Sequence, residues 1–75
     1  MVNLLDLKIG QKAIIADCID EKLPVKLMEL GCLPGNEVQL LQVAPLNDPL
    51  YYLVAGNRIA IRRETASLIC LDFAQ

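Results

Sequence analysis

Runs of apolar residues, cut by glycines, prolines and charged turns, divide this chain into short elements. Leu4–Gly10 reads as a lead-in that turns at Gly10. Lys12–Ile19 is rich in Ile and Ala and contains no breaker, so it predicts a strand. Its pattern is near-continuous rather than alternating, as in a strand covered on both faces. Asp20–Lys22 is a charged turn. Pro24 suits the first position of a helix, where its missing N–H is not needed. The helix is predicted from Pro24 to about Leu30. Leu23, Leu27 and Leu30 fall at i, i+4 and i+7 and form one apolar stripe toward the core. Val25 and Met28 are left on the far side, three residues apart and therefore adjacent. They are either covered by the N-terminal segment Val2–Leu5 or form an exposed patch for a partner.

The stretch from Lys26 to Pro49 organises the rest. Gly31 ends the helix, since glycine takes positive φ without steric cost. Pro34-Gly35 then fits the two central positions of a type II turn. Glu37–Val43 is an apolar strand. Ala44–Pro49 follows as a loop with two prolines, which fix φ at two points, remove two backbone donors and bar the loop from a central strand. Leu50–Ala55 and Arg58–Arg62 read as a hairpin around Gly56-Asn57. That pairing sets Ala55 opposite Arg58, Tyr52 opposite Ile61 and Tyr51 opposite Arg62. It puts Leu50, Tyr52, Val54, Ile59 and Ile61 on the core face. Glu64–Ser67 resembles one helical turn and Leu68–Phe73 a closing strand. The chain is thus mainly β: about five short strands with one short helix after the first, in a small, partly open barrel.

Length and composition narrow the function classes. The 75 residues make one domain, 1–75, with a modest core. Its 55% hydrophobic content includes one Phe and no Trp, so aliphatic side chains do most of the packing. The net charge of −2 argues against nucleic acid, which prefers a basic footprint. The longest run without a charge, Val38–Asn47, is ten residues, half of what a membrane-spanning helix needs, about 20. Asp6 and Lys8 interrupt the place where an export signal carries its apolar segment, so a cytosolic chain without membrane insertion is expected.

Candidate chemistry is sparse. The chain has no histidine, and Ser67, its one serine, therefore has no imidazole to activate it. No nucleophile–base pair exists, and the chain is not expected to be an enzyme. Cys18, Cys32 and Cys70 are odd in number and form no Cys-x-x-Cys, against a disulfide framework or a structural zinc site. Asp17, Cys18 and Asp20 could offer oxygens and one thiolate to a divalent metal, although a solvated acidic turn is the simpler reading. Arg62 and Arg63 alternate to opposite faces and so do not form one anion clamp. Arg62 and Tyr51 are placed to stack.

Three stretches carry a resemblance: Leu-Met-Glu-Leu-Gly-Cys-Leu-Pro-Gly-Asn-Glu-Val at 27–38, Val-Ala-Pro-Leu-Asn-Asp-Pro-Leu at 43–50 and Ile-Ala-Ile-Arg-Arg-Glu-Thr-Ala at 59–66. In this order and spacing they resemble the FeoA family from Leu7 to Leu71. The resemblance implies an SH3-like barrel and a small cytosolic accessory role in bacterial ferrous iron uptake, exerted by binding the cytosolic part of the membrane transporter FeoB. Two departures stand out. Asn47 sits where the family loop commonly has Gly, and Leu23-Pro24-Val25-Lys26 where a more polar helix start with an arginine is frequent. The alternative is a free-standing regulatory module, since the chain is also similar to the C-terminal domain of iron-dependent repressors. An SH3 domain reading Pro-rich peptides needs an aromatic-lined groove, which Tyr51, Tyr52 and Phe73 do not supply with Tyr52 in the core. The implied metal is ferrous iron. With no imidazole, at most weak binding is expected, through Asp17, Cys18 and Asp20 or through the Cys32 thiolate. The partner surface is expected at Val25 and Met28, at the loop residues Ala44, Pro45, Leu46, Asp48 and Pro49, and at Tyr51 and Arg62.

Overall fold

Five strands form one antiparallel sheet in the order β4-β3-β2-β1-β5. They are β1 Lys12–Ile19, β2 Glu37–Val43, β3 Leu50–Val54, β4 Asn57–Ile61 and β5 Ile69–Asp72. Helix α1, Val25–Glu29, lies between β1 and β2, and α2, Arg63–Ala66, between β4 and β5. This computed structural model describes residues 2–72, leaving aside the side chains of Cys18 and Ile19. The expectation that the last strand reaches Phe73 lies outside them. The sheet is not closed among the described residues, in keeping with a partly open barrel.

Two irregularities bend the sheet around its core. On β2, Leu40 pairs with Tyr52 but Gln42 pairs with Tyr51, so β2 carries one extra residue there. Such a bulge increases local twist. It also resets the alternation, so Val43 pairs with the buried Leu50 and packs against the core while Gln42 is exposed. On β1 the register with β5 slips between Ile15 and Ile19. β1 pairs with β2 through Lys12, Ala13 and Ile14 and with β5 through Ile14, Ile15 and Ile19. The core is aliphatic except for Tyr52 and Cys32, and includes Leu4, Val38, Leu40, Val54 and Ile61.

The hairpin differs from expectation in its turn. The loop residues are Ala55 and Gly56, at φ +49° and +81°, and Val54 pairs with Asn57. Positive φ at both central positions is the type I′ geometry that matches strand twist. Asn57 is drawn into β4 because its side-chain amide donates to the Leu30 carbonyl oxygen at 2.9 Å, tying the hairpin to the end of α1. Tyr51 therefore faces Ala60, not Arg62. The change of register is two residues, which preserves the faces, and Leu50, Tyr52, Val54, Ile59 and Ile61 are all buried.

Helix α1 is shorter than expected. Pro24 is its N-cap, with extended backbone, rather than its first helical residue. At the other end Gly31 takes φ +113°. The Cys32 N–H donates to the Leu27 carbonyl and the Gly31 N–H to the Met28 carbonyl, at 3.0 and 3.1 Å. This reciprocal pair is a Schellman closure, and it drives Cys32 into the core. The Pro34-Gly35 turn then closes through the Asn36 N–H and the Leu33 carbonyl at 3.2 Å, with Gly35 at φ +93°.

Candidate partner-binding surface

The helix face singled out from the sequence divides in two. Val25 is 65% exposed. Met28 is half-buried and packs against the core together with Leu27 and Leu30. On a helix of five residues the core reaches round both flanks, so only Val25 is left as an outward apolar side chain. The N-terminal residues Val2 and Leu5 also pack against the core.

The loop after β2 is built by its own backbone and anchored from outside. The Asn47 N–H donates to the Ala44 carbonyl at 2.8 Å, and the Ala44 N–H to the Pro49 carbonyl at 3.1 Å. Asn47 adopts φ +66°, the left-handed position that asparagine tolerates, and Asp48–Pro49 is a cis peptide. The Asp48 carboxylate accepts the Arg63 N–H at 3.0 Å, satisfying a donor at the start of α2. The Arg63 guanidinium donates back to the Asn47 carbonyl. These bonds place the first helical residue at Arg63 rather than Glu64. Ala44 and Pro49 are half-buried supports, while Pro45 and Asp48 are exposed. Leu46 at the tip is 89% exposed, the most open large apolar side chain described.

A groove of about 220 Å³ lies where the start of α1 meets the end of β4 and α2. Pro24, Lys26 and Leu27 line one side, and Ala60, Arg62 and Thr65 the other. At under the ~300 Å³ of the smallest usual small-molecule pockets, it is scaled to one or two side chains. Tyr51 is 38% exposed on the outer sheet face, opposite Ala60, so the expected pairing of Tyr51 with Arg62 across the ladder does not form.

The described metal candidates do not come together. Cys32 is 1% exposed, and burial pushes its thiol pKa up, which disfavours the thiolate a metal needs. That expectation is corrected by the Schellman turn that buries it. Asp17 and Asp20 are exposed, and one Asp20 oxygen accepts the Lys22 N–H at 2.8 Å. The Cys18 side chain lies outside the described residues. Among those described, no three Cys, Asp or Glu side chains form a group able to hold a metal ion. Among the described side chains, no set fits a resident iron site.

Sequence reading missed three contributors: Arg63 as the anchor of the loop, and Leu27 and Ala60 as walls of the groove. Their roles come from contacts between segments distant in sequence. The only available signal was the position of Ala60 beside Arg62 in a strand.

Comparison with known proteins places this architecture. A family profile described as FeoA domain matches residues 2–72. A curated relative from Porphyromonas gingivalis, an Fe(2+) transport protein A/Fe(2+) transporter FeoB fusion protein, is 32% identical over 69 residues, 91% of this chain. This chain spans 8% of that protein's length. The solution structure of FeoA from Chlorobium tepidum superposes with a TM-score of 0.87 at 28% identity, over 99% of this chain and 71% of that one. The zinc complex of Stenotrophomonas maltophilia FeoA, described as a prokaryotic SH3 domain protein, gives 0.80 at 26% identity, over 96% and 91% of the two chains. IdeR from T. acidophilum shares the fold at a TM-score of 0.80, with 23% identity over 97% of this chain and 34% of that one. The chain, an SH3-like domain of five antiparallel strands, belongs to the FeoA family of ferrous iron transport.

Proposed function

We propose that this chain is a small accessory protein of bacterial ferrous iron uptake that acts by binding the cytosolic part of the transporter FeoB. The observation that carries this reading is the relative in which an FeoA-like segment and FeoB share one polypeptide. Fusion raises the effective concentration of two modules that work together. The chain's own surface supports a binding role: a stiff loop held by Arg63 presents Leu46, and Val25 stands exposed on α1. With no histidine and one serine, the side chains offer contacts rather than catalysis. Among the described residues no helix is long and apolar enough to cross a membrane, and the reading places the chain at the cytoplasmic side of the transporter. Ferrous iron enters as the transporter's cargo. A pull-down of this chain with the transporter's cytosolic domain, with and without guanine nucleotide, tests the reading. Retention is the expected result, and failure to co-purify under both conditions overturns it.

A further inference from the structure

Strand β4 is an edge of the sheet and pairs only with β3. Val54 and Asn57 flank a two-residue turn, so they exchange hydrogen bonds as a turn requires. Alternation along an antiparallel ladder then directs the N–H and C=O groups of Ile59 and Ile61 to β3, and those of Arg58 and Ala60 to the open side. Ala60 also lines the groove beside Leu27. The two charged residues lining that groove, Lys26 and Arg62, are both cations, on a chain whose net charge is −2. Neither takes part in an ion pair: among the described residues the one such pair is Lys12 with Glu37, at 4.0 Å. Unpaired main-chain groups, an apolar floor and two cations outside any ion pair are the requirements for capturing an extended, acidic strand.

We infer that the β4 edge and the adjoining groove bind an extended acidic peptide segment of a protein partner. One apolar side chain of the segment would sit between Leu27 and Ala60, with carboxylates to either side facing Lys26 and Arg62. Side chains two apart on a strand share a face, so the recognised pattern is an apolar residue with acidic residues two positions to either side. The inference rests on the reading that this chain works by binding protein. Its probe is a peptide, so it stands or falls separately from the transporter pull-down.

The test is a titration of the isotope-labelled chain with a short synthetic peptide carrying one Val with Glu two residues to either side and Ser between them, followed by amide NMR. The expected result is a progressive shift of the Lys26, Leu27, Ala60 and Arg62 signals and slower exchange of the Ala60 amide. The same peptide with Lys in place of Glu should leave them unmoved. The double variant Lys26→Glu, Arg62→Glu should bind roughly tenfold or more weakly, from two lost and reversed charge contacts. Should that variant fold poorly, wild-type affinity compared at about 50 and about 500 mM salt decides, since exposed charge contacts are screened. Affinity indifferent to salt, shifts confined to other residues, or equal binding of the Lys peptide overturns the inference. So does appearance of the same shifts without peptide as the protein is concentrated, which assigns the groove to a second copy of the chain.

Discussion

The Tyr52 hydroxyl donates to the Leu4 carbonyl oxygen at 3.0 Å, joining the middle of β3 to the N-terminal 3-10 turn Leu4–Asp6 across 48 residues of sequence. Both residues are fully buried. The turn is itself closed by a capping box, in which the Asn3 side chain accepts the Leu5 N–H and the Asp6 carboxylate accepts the Asn3 N–H. The phenol therefore holds a preformed element onto the sheet. Tyr52→Phe should cost about 1 kcal/mol, because the Leu4 carbonyl still accepts the Leu7 N–H. The variant should also change the response to alkali. Burial, partly offset by the nearby Arg63 charge, raises the Tyr52 pKa from 10.0 to about 12. The unfolded chain releases this proton first, so the stabilisation by neutral Tyr52 is intact below pH 10 and is lost as pH rises toward 12. Up to about 2–3 kcal/mol is at stake over that range. Urea titrations at neutral and high pH should show a steeper loss in wild type than in the Phe variant, and parallel slopes would refute the assignment.

Gly31 is required by two independent constraints. Its φ of +113° is rarely open to an L side chain, and a Cβ built there would stand 2.6 Å from the Ala55 Cβ. Its carbonyl also accepts the Asn36 side-chain amide at 2.8 Å, joining the helix end to the start of β2. Gly31→Ala should destabilise by more than about 2 kcal/mol, through strain and overlap together. Gly10, at φ +87° with nothing within 4 Å of the place a Cβ would take, separates the two effects. Gly10→Ala should cost only the backbone term, about 1–2 kcal/mol. Equal shifts of the denaturation midpoint in the two variants would remove the steric part of this account.

The elements legible in the sequence are those bounded by local chemistry. β1 and β2 match their predicted ends because Gly10 and Pro34-Gly35 are chain breakers placed just before their starts. The hairpin register was not legible. Gly56-Asn57 and Ala55-Gly56 are both plausible two-residue loops, and the choice follows a hydrogen bond from Asn57 to Leu30, 27 residues away. The bulge after Leu40 is equally silent, since an apolar run tolerates a change of facing. At the candidate surface, helical spacing left Val25 either covered or exposed, and the structure exposes it together with the loop tip at Leu46. Spacing could not show that Met28 touches the core, nor that Arg63 and Asp48 bind across 15 residues.

Asp48 couples the loop to α2, and its removal should be felt in both. Asp48→Ala leaves the Arg63 N–H without its carboxylate, a loss comparable to that of a helix cap, about 0.5–2 kcal/mol. Leu46→Asp makes no such change, since Leu46 is 89% exposed. It should leave the melting temperature nearly unmoved while weakening retention of the transporter's cytosolic domain. Pro45→Gly combined with Pro49→Gly should act in the same direction, by raising the entropy the loop must lose on binding. Full retention by all three variants would show that the loop serves the fold alone.

The same logic separates Val25 from Met28. Val25 is 65% exposed on a helix bounded by Pro24 and the Gly31 closure, so Val25→Asp should fold as wild type does. If the transporter domain covers this residue, the substitution places a charge in a desolvated contact, and binding should fall by about tenfold or more. Met28 packs against the core. Met28→Asp removes that packing and half-buries a carboxylate with no partner, for a cost of roughly 2–4 kcal/mol. Any binding defect in Met28→Asp therefore has to be measured against its folded fraction. Met28→Leu keeps the volume and should retain both stability and binding. Melting curves and pull-downs of the three variants, run together, give the answer. A stable Met28→Asp that loses binding would move Met28 from the core to the interface, whereas an unstable Val25→Asp would show that the outer face of α1 is itself covered.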